Sequence, residues 1–182
     1  VAFSPVSVSH NLAILMNGAS GKARDELLAL FGLIENHLDE FNESQRALLN
    51  RFDSVEGRPL KTAAAVFTVW PVVLHKDYVE KMGSSYNGVV KKLGGATIEA
   101  ERLLNVWVSE RTDGDIPRLV TDLSKEDALF VVNVVHYEDA WNEPFDMAET
   151  KDGPFSEPGG RVTVPLMSRS GKYAYFESDA LQ

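Results

Sequence analysis

Apolar positions recur along the chain at two spacings, the three-to-four-residue period of helices and the short unbroken runs of buried strands, and their alternation predicts a mixed fold. A brief apolar strand at Val1 to Phe3 turns into a helix that Ser4 caps, Pro5 opens and Gly18 ends, with Leu12, Ala13, Leu15 and Met16 making it strongly apolar. A second helix runs from about Lys22 to Phe31, closed by Gly32. Within the polar stretch Glu35 to Glu56, Ala47, Leu48 and Phe52 predict a third helix before the Gly57-Arg58-Pro59 break. Ala63 to Trp70 reads as a buried strand ended by Pro71, or alternatively as a buried helical turn. Tyr78, Val79, Met82 and Tyr86 give a helix, and Val89, Val90 and Leu93 a brief strand before Gly94-Gly95. Ala100, Leu103, Leu104, Trp107 and Val108 form an amphipathic helix expected to lie across a sheet and to stop near Gly114 and Pro117. Ala128 to Tyr137 carries a continuous apolar run and is read as the most buried strand, covered on both faces. The tail alternates as strands at Val162-Val164-Leu166 and Tyr173-Tyr175, joined through Ser170-Gly171.

Composition narrows the function classes. With 44% hydrophobic residues, a chain of 182 residues has the apolar mass for a core. No run approaches ~18 apolar residues, so no membrane span is expected. The net charge of -9 disfavours binding to nucleic acid, since neutralising phosphate needs clustered Lys and Arg. Without cysteine, thiol catalysis and disulfides are excluded. The four histidines, His10, His37, His75 and His136, stand in no ligand spacing. His136 with Glu138 and Asp139 sits at a strand end where neighbouring side chains point to opposite faces, so no metal site is expected. No cofactor motif is present: Gly18 to Ala23 only faintly matches a phosphate loop and reads better as a helix-helix turn. Asn42-Glu43-Ser44 is a glycosylation sequon, which matters only if the protein is secreted. Asn133 interrupts the apolar run from Phe130 to Val135; its amide must find partners across a strand gap or at a helix end, either as a static core group or as a polar switch.

Several segments together resemble the serpins. Phe3-Ser4-Pro5-Val6-Ser7-Val8 is similar to the family's strand-to-helix entry, and Leu104-Asn105-Val106-Trp107-Val108 with Thr112, Gly114 and Ile116-Pro117 to its helix F. Val132-Asn133 leading to Tyr137 and Trp141, then Pro144-Phe145, Thr150, Phe155, Val162, Val164-Pro165 and Met167, resembles strand 3A and the sheet C segment after it. The chain departs from the family pattern in lacking an Asn at Ala63 to Phe67 and in carrying Glu138-Asp139 before Trp141. The resemblance implies an α+β class, a partial serpin-like multi-domain α/β fold with helices packed on part of sheet A and strands of sheet C. It makes residues 1–182 one partial domain, from helix B to about strand 3C, without separate domains. It assigns Ser4, Ser7 and Asn133 to the shutter that controls sheet opening, Trp141 to the breach where insertion starts, and Asn105, Trp107, Thr112 and Gly114 to helix F. The implied activity is not that of an enzyme but inhibition of serine proteases, or of cysteine proteases, by insertion of a cleaved loop into a metastable sheet. The reactive centre is not in this chain, so the fragment alone is not expected to inhibit, and a second chain carrying the C-terminal part is an expected partner. The alternative is a non-inhibitory serpin, a ligand carrier or chaperone. Family membership favours an extracellular location over a cytoplasmic one.

Overall fold

The computed structural model describes residues 4–55, 60–69, 72–93, 97–124, 126–175 and 177–178. The entry strand at Val1 to Phe3, the Gly57 to Pro59 break, Trp70, Pro71 and Gly94-Gly95 lie outside the described residues. The chain divides into two compact units, Val1–Glu138 and Asp139–Gln182.

In the first unit α1 spans Pro5–Gly18; Ser4 is its N-cap, its hydroxyl accepting from the Ser7 N–H at 3.2 Å, and Pro5 fills the first turn where no N–H is needed. Gly18 serves closeness more than chain reversal: a Cβ there would stand 3.0 Å from the Tyr78 ring. The second helix, α2, spans Gly21–Leu30 and ends on Gly32 at φ +65°, with the Leu33 N–H returning to the Leu28 carbonyl at 2.9 Å. Helix α3 spans Leu38–Asp53, within the polar stretch where a third helix is expected. Leu38, Asn42 and Leu49 are buried, whereas Ala47 and Leu48 point outward. The stripe 38, 42, 45, 49, 52 has helical period only if the polar residues Asn42 and Gln45 count as core.

Strand β1 (Leu60–Val69) is followed by α4 (Lys76–Tyr86), β2 (Gly88–Leu93), α5 (Thr97–Arg111) and β3 (Leu129–Tyr137). The sheet order is β2-β1-β3, with β1 parallel to β2 and antiparallel to β3. The most buried strand is therefore β1, where Ala64 to Thr68 are buried without interruption. In β3 only Val132 and Val134 are. β3 is less buried than expected because β1 has strands on both sides and β3 on one among the described strands.

Alternation along β1 feeds two cores. Ala65 and Phe67 join Leu93, Ala100, Leu104, Trp107, Val108, Val132 and Val134 beneath α5, which lies on the sheet as its pattern predicts. Ala64 and Val66 face Ala13 and Ile14 of α1 and Tyr78, Met82 and Tyr86 of α4. Met16, Leu28 and Leu38 form a smaller core among the first three helices.

The second unit holds a hairpin of β4 (Lys151–Glu157) and β5 (Gly160–Leu166), in which Glu157 pairs with Gly160. Tyr173 and Tyr175 are in no strand. The partner of β5 lies upstream because Pro158-Gly159-Gly160 makes a tight reversal, with Gly160 at φ +133° where a side chain would be strained. Among the described residues no helix is long and apolar enough to cross a membrane.

Candidate functional site

The residues singled out in the sequence fall in three places. On β3, Asn133 is half-buried and lies on the α1 side of the sheet, opposite Ala64 in register. Its Nδ2 reaches the Ala63 carbonyl at 3.4 Å, longer than an ordinary N–H···O bond, and its buried Oδ1 has no partner among the described residues. An acceptor enclosed in this way costs free energy until a donor arrives. Ser4 and Ser7, half-buried at the start of α1, belong to the helix packed on β3, but among the described residues no hydrogen bond joins them to Asn133. The structure thus places Ser4, Ser7 and Asn133 in one helix-on-strand layer without linking them directly.

The α5 residues each have a structural role. Asn105 accepts from the Leu119 and Val120 N–H groups at 2.8 and 2.9 Å and donates to the Val120 carbonyl at 2.8 Å, pinning the returning chain to the helix. Glu101 supports the same pin, taking the Asp122 N–H at 3.0 Å and pairing with Arg118 at 2.9 Å. Trp107 is 2% exposed and stacks edge-on against Phe67 with centroids 5.6 Å apart. Thr112, fully buried, donates to the Val108 carbonyl at 3.0 Å and accepts from the Ile116 N–H at 3.0 Å. Gly114 adopts φ +92°, a conformation open to glycine and strained for other residues. Spacing that reads as a motif is thus the set of contacts by which the helix ends, turns and returns.

Trp141 lies in the second unit, 66% exposed, with its ring edge-on to Phe145 at 5.6 Å.

Asn42 is not a surface acceptor. It is 1% exposed within α3, and its amide exchanges two 2.9 Å bonds with Asn17 while its Oδ1 takes the Tyr86 hydroxyl at 2.5 Å. A glycan on this nitrogen has no room in the fold. This network, joined by His10 at 1% exposure with its ring edge-on to Tyr86 at 5.1 Å, is what sequence reasoning missed. Burial holds His10 below its ordinary pKa and raises the Tyr86 hydroxyl above its own. The available signal was positional: His10, Asn17 and Asn42 each interrupt an apolar stripe at helical spacing. Among the described residues no group of His, Cys, Asp or Glu is arranged to hold a metal ion, and His136 instead meets Asp115 at 2.7 Å.

Comparison with known proteins adds to this geometry. The family model described as "Serpin (serine protease inhibitor)" matches residues 1–182. An uncharacterized serpin-like protein of Thermococcus kodakarensis is 33% identical, with 100% of this chain and 43% of that protein covered. Alpha-1-antiproteinase S of Cavia porcellus is 32% identical, with 100% and 46% covered. The native stressed form of Arabidopsis AtSerpin1 superposes with a TM-score of 0.82 at 21% identity, covering 93% of this chain and 45% of that one. The chain spans about half the length of these relatives.

Proposed function

Because the chain belongs to the serpin family, we propose that the full-length protein inhibits serine-type endopeptidases by inserting its own cleaved loop beside β3. The observation that carries this reading is the state of that strand. Among the described strands β3 is paired on one side alone, through β1, and its Asn133 holds a buried acceptor without a donor. The strand's backbone N–H and C=O groups can pair with an inserted strand, and the free energy of that pairing is what would hold a protease acyl-linked to the loop. Ser4, Ser7 and Asn133 serve in this scheme as the shutter and Trp141 as the breach. Asn105, Trp107, Thr112 and Gly114 hold α5 over the strands that must part. The reactive loop, and a strand on the far side of β3, come from outside residues 1–182, from the rest of the polypeptide or from a second chain.

The test is to mix the full-length protein with trypsin-like and chymotrypsin-like serine proteases and run the products on denaturing gels. The expected result is a complex that survives SDS, because the protease serine remains acyl-linked to the cleaved loop. If every protease in a broad panel merely cleaves the loop and departs, inhibition is refuted and a non-inhibitory carrier or chaperone takes its place.

A further inference from the structure

One side of α5 faces neither the sheet nor the chain that returns along it. Ile98, Arg102, Val106 and Glu110 follow one another at every fourth position and form a single ridge along the helix. Ile98 is 81% exposed and Val106 42%. Beside this ridge runs an open groove of about 640 Å³, within the size range of ligand sites, and Pro117 and Arg118 make its far wall. The floor is polar by residue type but already engaged. Asn105 is bonded to the backbone of Leu119 and Val120, and Glu101 holds Arg118 and the Asp122 N–H. The two ridge charges are therefore what the groove has to offer a ligand. Among the described residues Arg102 meets the Glu99 carboxylate alone, at 3.4 Å on the exposed surface, and Glu110 is in no ion pair. Lys61, which shares a hollow with Glu110, is taken by Asp113.

We propose that this groove binds an extended segment of a partner polypeptide in which acid, apolar and basic side chains stand at alternate positions. Width decides between an extended chain and a helix. From Ile98 to Glu110 the helix axis advances about 18 Å, and the groove volume spread over that length leaves a channel about 6 Å across. One strand, which sits about 4.8 Å from a neighbour, fits such a channel, whereas a helix about 10–12 Å in diameter does not. Spacing decides the pattern. Successive ridge residues advance about 6 Å along the axis, and alternate residues of a strand about 6.6 Å, so a strand laid along the ridge keeps step with it over three or four contacts. Opposite Ile98 and Val106 it presents apolar side chains, opposite Arg102 an acid, and opposite Glu110 a base. Each charge then meets a partner of opposite sign while the apolar positions cover the exposed ridge residues. The groove lies wholly in the first unit and plays no part in loop insertion, so the protease assay and the binding assay below fail independently.

The probe is a fluorescently labelled heptapeptide with blocked ends, Ile-Thr-Glu-Thr-Val-Thr-Lys, titrated with the full-length protein and followed by anisotropy. Saturable binding is expected, weakened about two- to fivefold when Gln replaces either charged residue of the peptide, the range of one exposed ion pair. Glu110→Gln should erase the preference for Lys over Gln at the last position and keep the preference for Glu at the third; Arg102→Gln should do the reverse. Both side chains stand on the exposed surface of α5, so neither variant endangers the core. A peptide with its acid and base only two positions apart should bind like a singly charged one, because it cannot reach both ridge charges. No saturable signal, as when the rest of the polypeptide covers the groove, overturns the proposal. So does equal affinity for the doubly neutral or the closely spaced peptide, or a variant that loses both preferences at once.

Discussion

Asn42→Ala is the substitution whose cost follows most directly from the structure. The buried amide of Asn42 gives and takes a 2.9 Å bond with Asn17 and accepts from the Tyr86 hydroxyl at 2.5 Å. Truncation leaves the Asn17 Oδ1 without its donor and the Tyr86 hydroxyl without its acceptor. The Asn17 Nδ2 keeps the Ala13 carbonyl and the Tyr86 oxygen, each at 2.9 Å. Two stranded groups at about 1–3 kcal/mol each, less about 0.5 kcal/mol for alanine's better helix propensity, give a net loss of about 1.5–5.5 kcal/mol. Tyr86→Phe is the control, since it deletes one hydroxyl but leaves the reciprocal Asn17–Asn42 pair intact, for about 1 kcal/mol. Urea unfolding followed by tryptophan fluorescence, with Trp107 buried as a reporter, reads both as midpoint shifts at unchanged slope. The reasoning fails if Asn42→Ala lies within about 0.5 kcal/mol of the wild type, below the ordinary value of a single buried hydrogen bond, or if Tyr86→Phe costs as much. The same arithmetic bears on the sequon, because a glycan would abolish these bonds and add bulk. Material secreted from a glycosylating host is expected to leave Asn42 unmodified.

Two further outcomes follow. Asn105→Ala removes three bonds to the returning chain and should cost about 2–3 kcal/mol, with exchange at Leu119 and Val120 accelerating before that of β1; unchanged exchange there would contradict the pinning role. For His10, burial holds the folded-state pKa below the ordinary value of 6.5, so the unfolded chain takes up a proton first on acidification. Stability is fully present above that value and is lost as pH falls from it toward the folded-state pKa, and the urea midpoint should drop between pH 7 and pH 5.5. His10→Gln should flatten this dependence, and a wild-type midpoint that stays level would rule it out.

Much of the molecule was legible because local physics and tertiary packing agree in it. Ser4 and Pro5 specify a helix start that needs nothing else, and the period of Ala100, Leu104, Trp107 and Val108 is that of a face on a sheet. The errors arose where the deciding partner is distant. Asn42 reads as a surface acceptor until Asn17 and Tyr86, far away in sequence, are brought against it. Phe130 to Val135 is less buried than Ala64 to Thr68 because, among the described strands, β1 has two lateral neighbours and β3 one. Tyr173 and Tyr175 alternate correctly, yet alternation is necessary for a strand without being sufficient, since a strand requires a partner. Of the candidate site, residue types could be assigned from motif spacing. The unmet acceptor of Asn133 could not, because it depends on what stands beside it.

The placement of β1 at the centre of its sheet sets an order of events during synthesis. Its parallel partner β2 follows after a single helix, so α4 and β2 can settle on β1 early, with little chain entropy lost in closing the loop. Its antiparallel partner comes later: Ala63 and Asn133 are separated by 70 positions, and α5 must emerge and fold in between. Throughout that interval one side of the strand that ends up most buried among those described stands open. A nascent chain stalled between α5 and β3 should therefore be the species most dependent on chaperones, and slowing translation there should lower the yield of folded protein more than slowing it anywhere before β1.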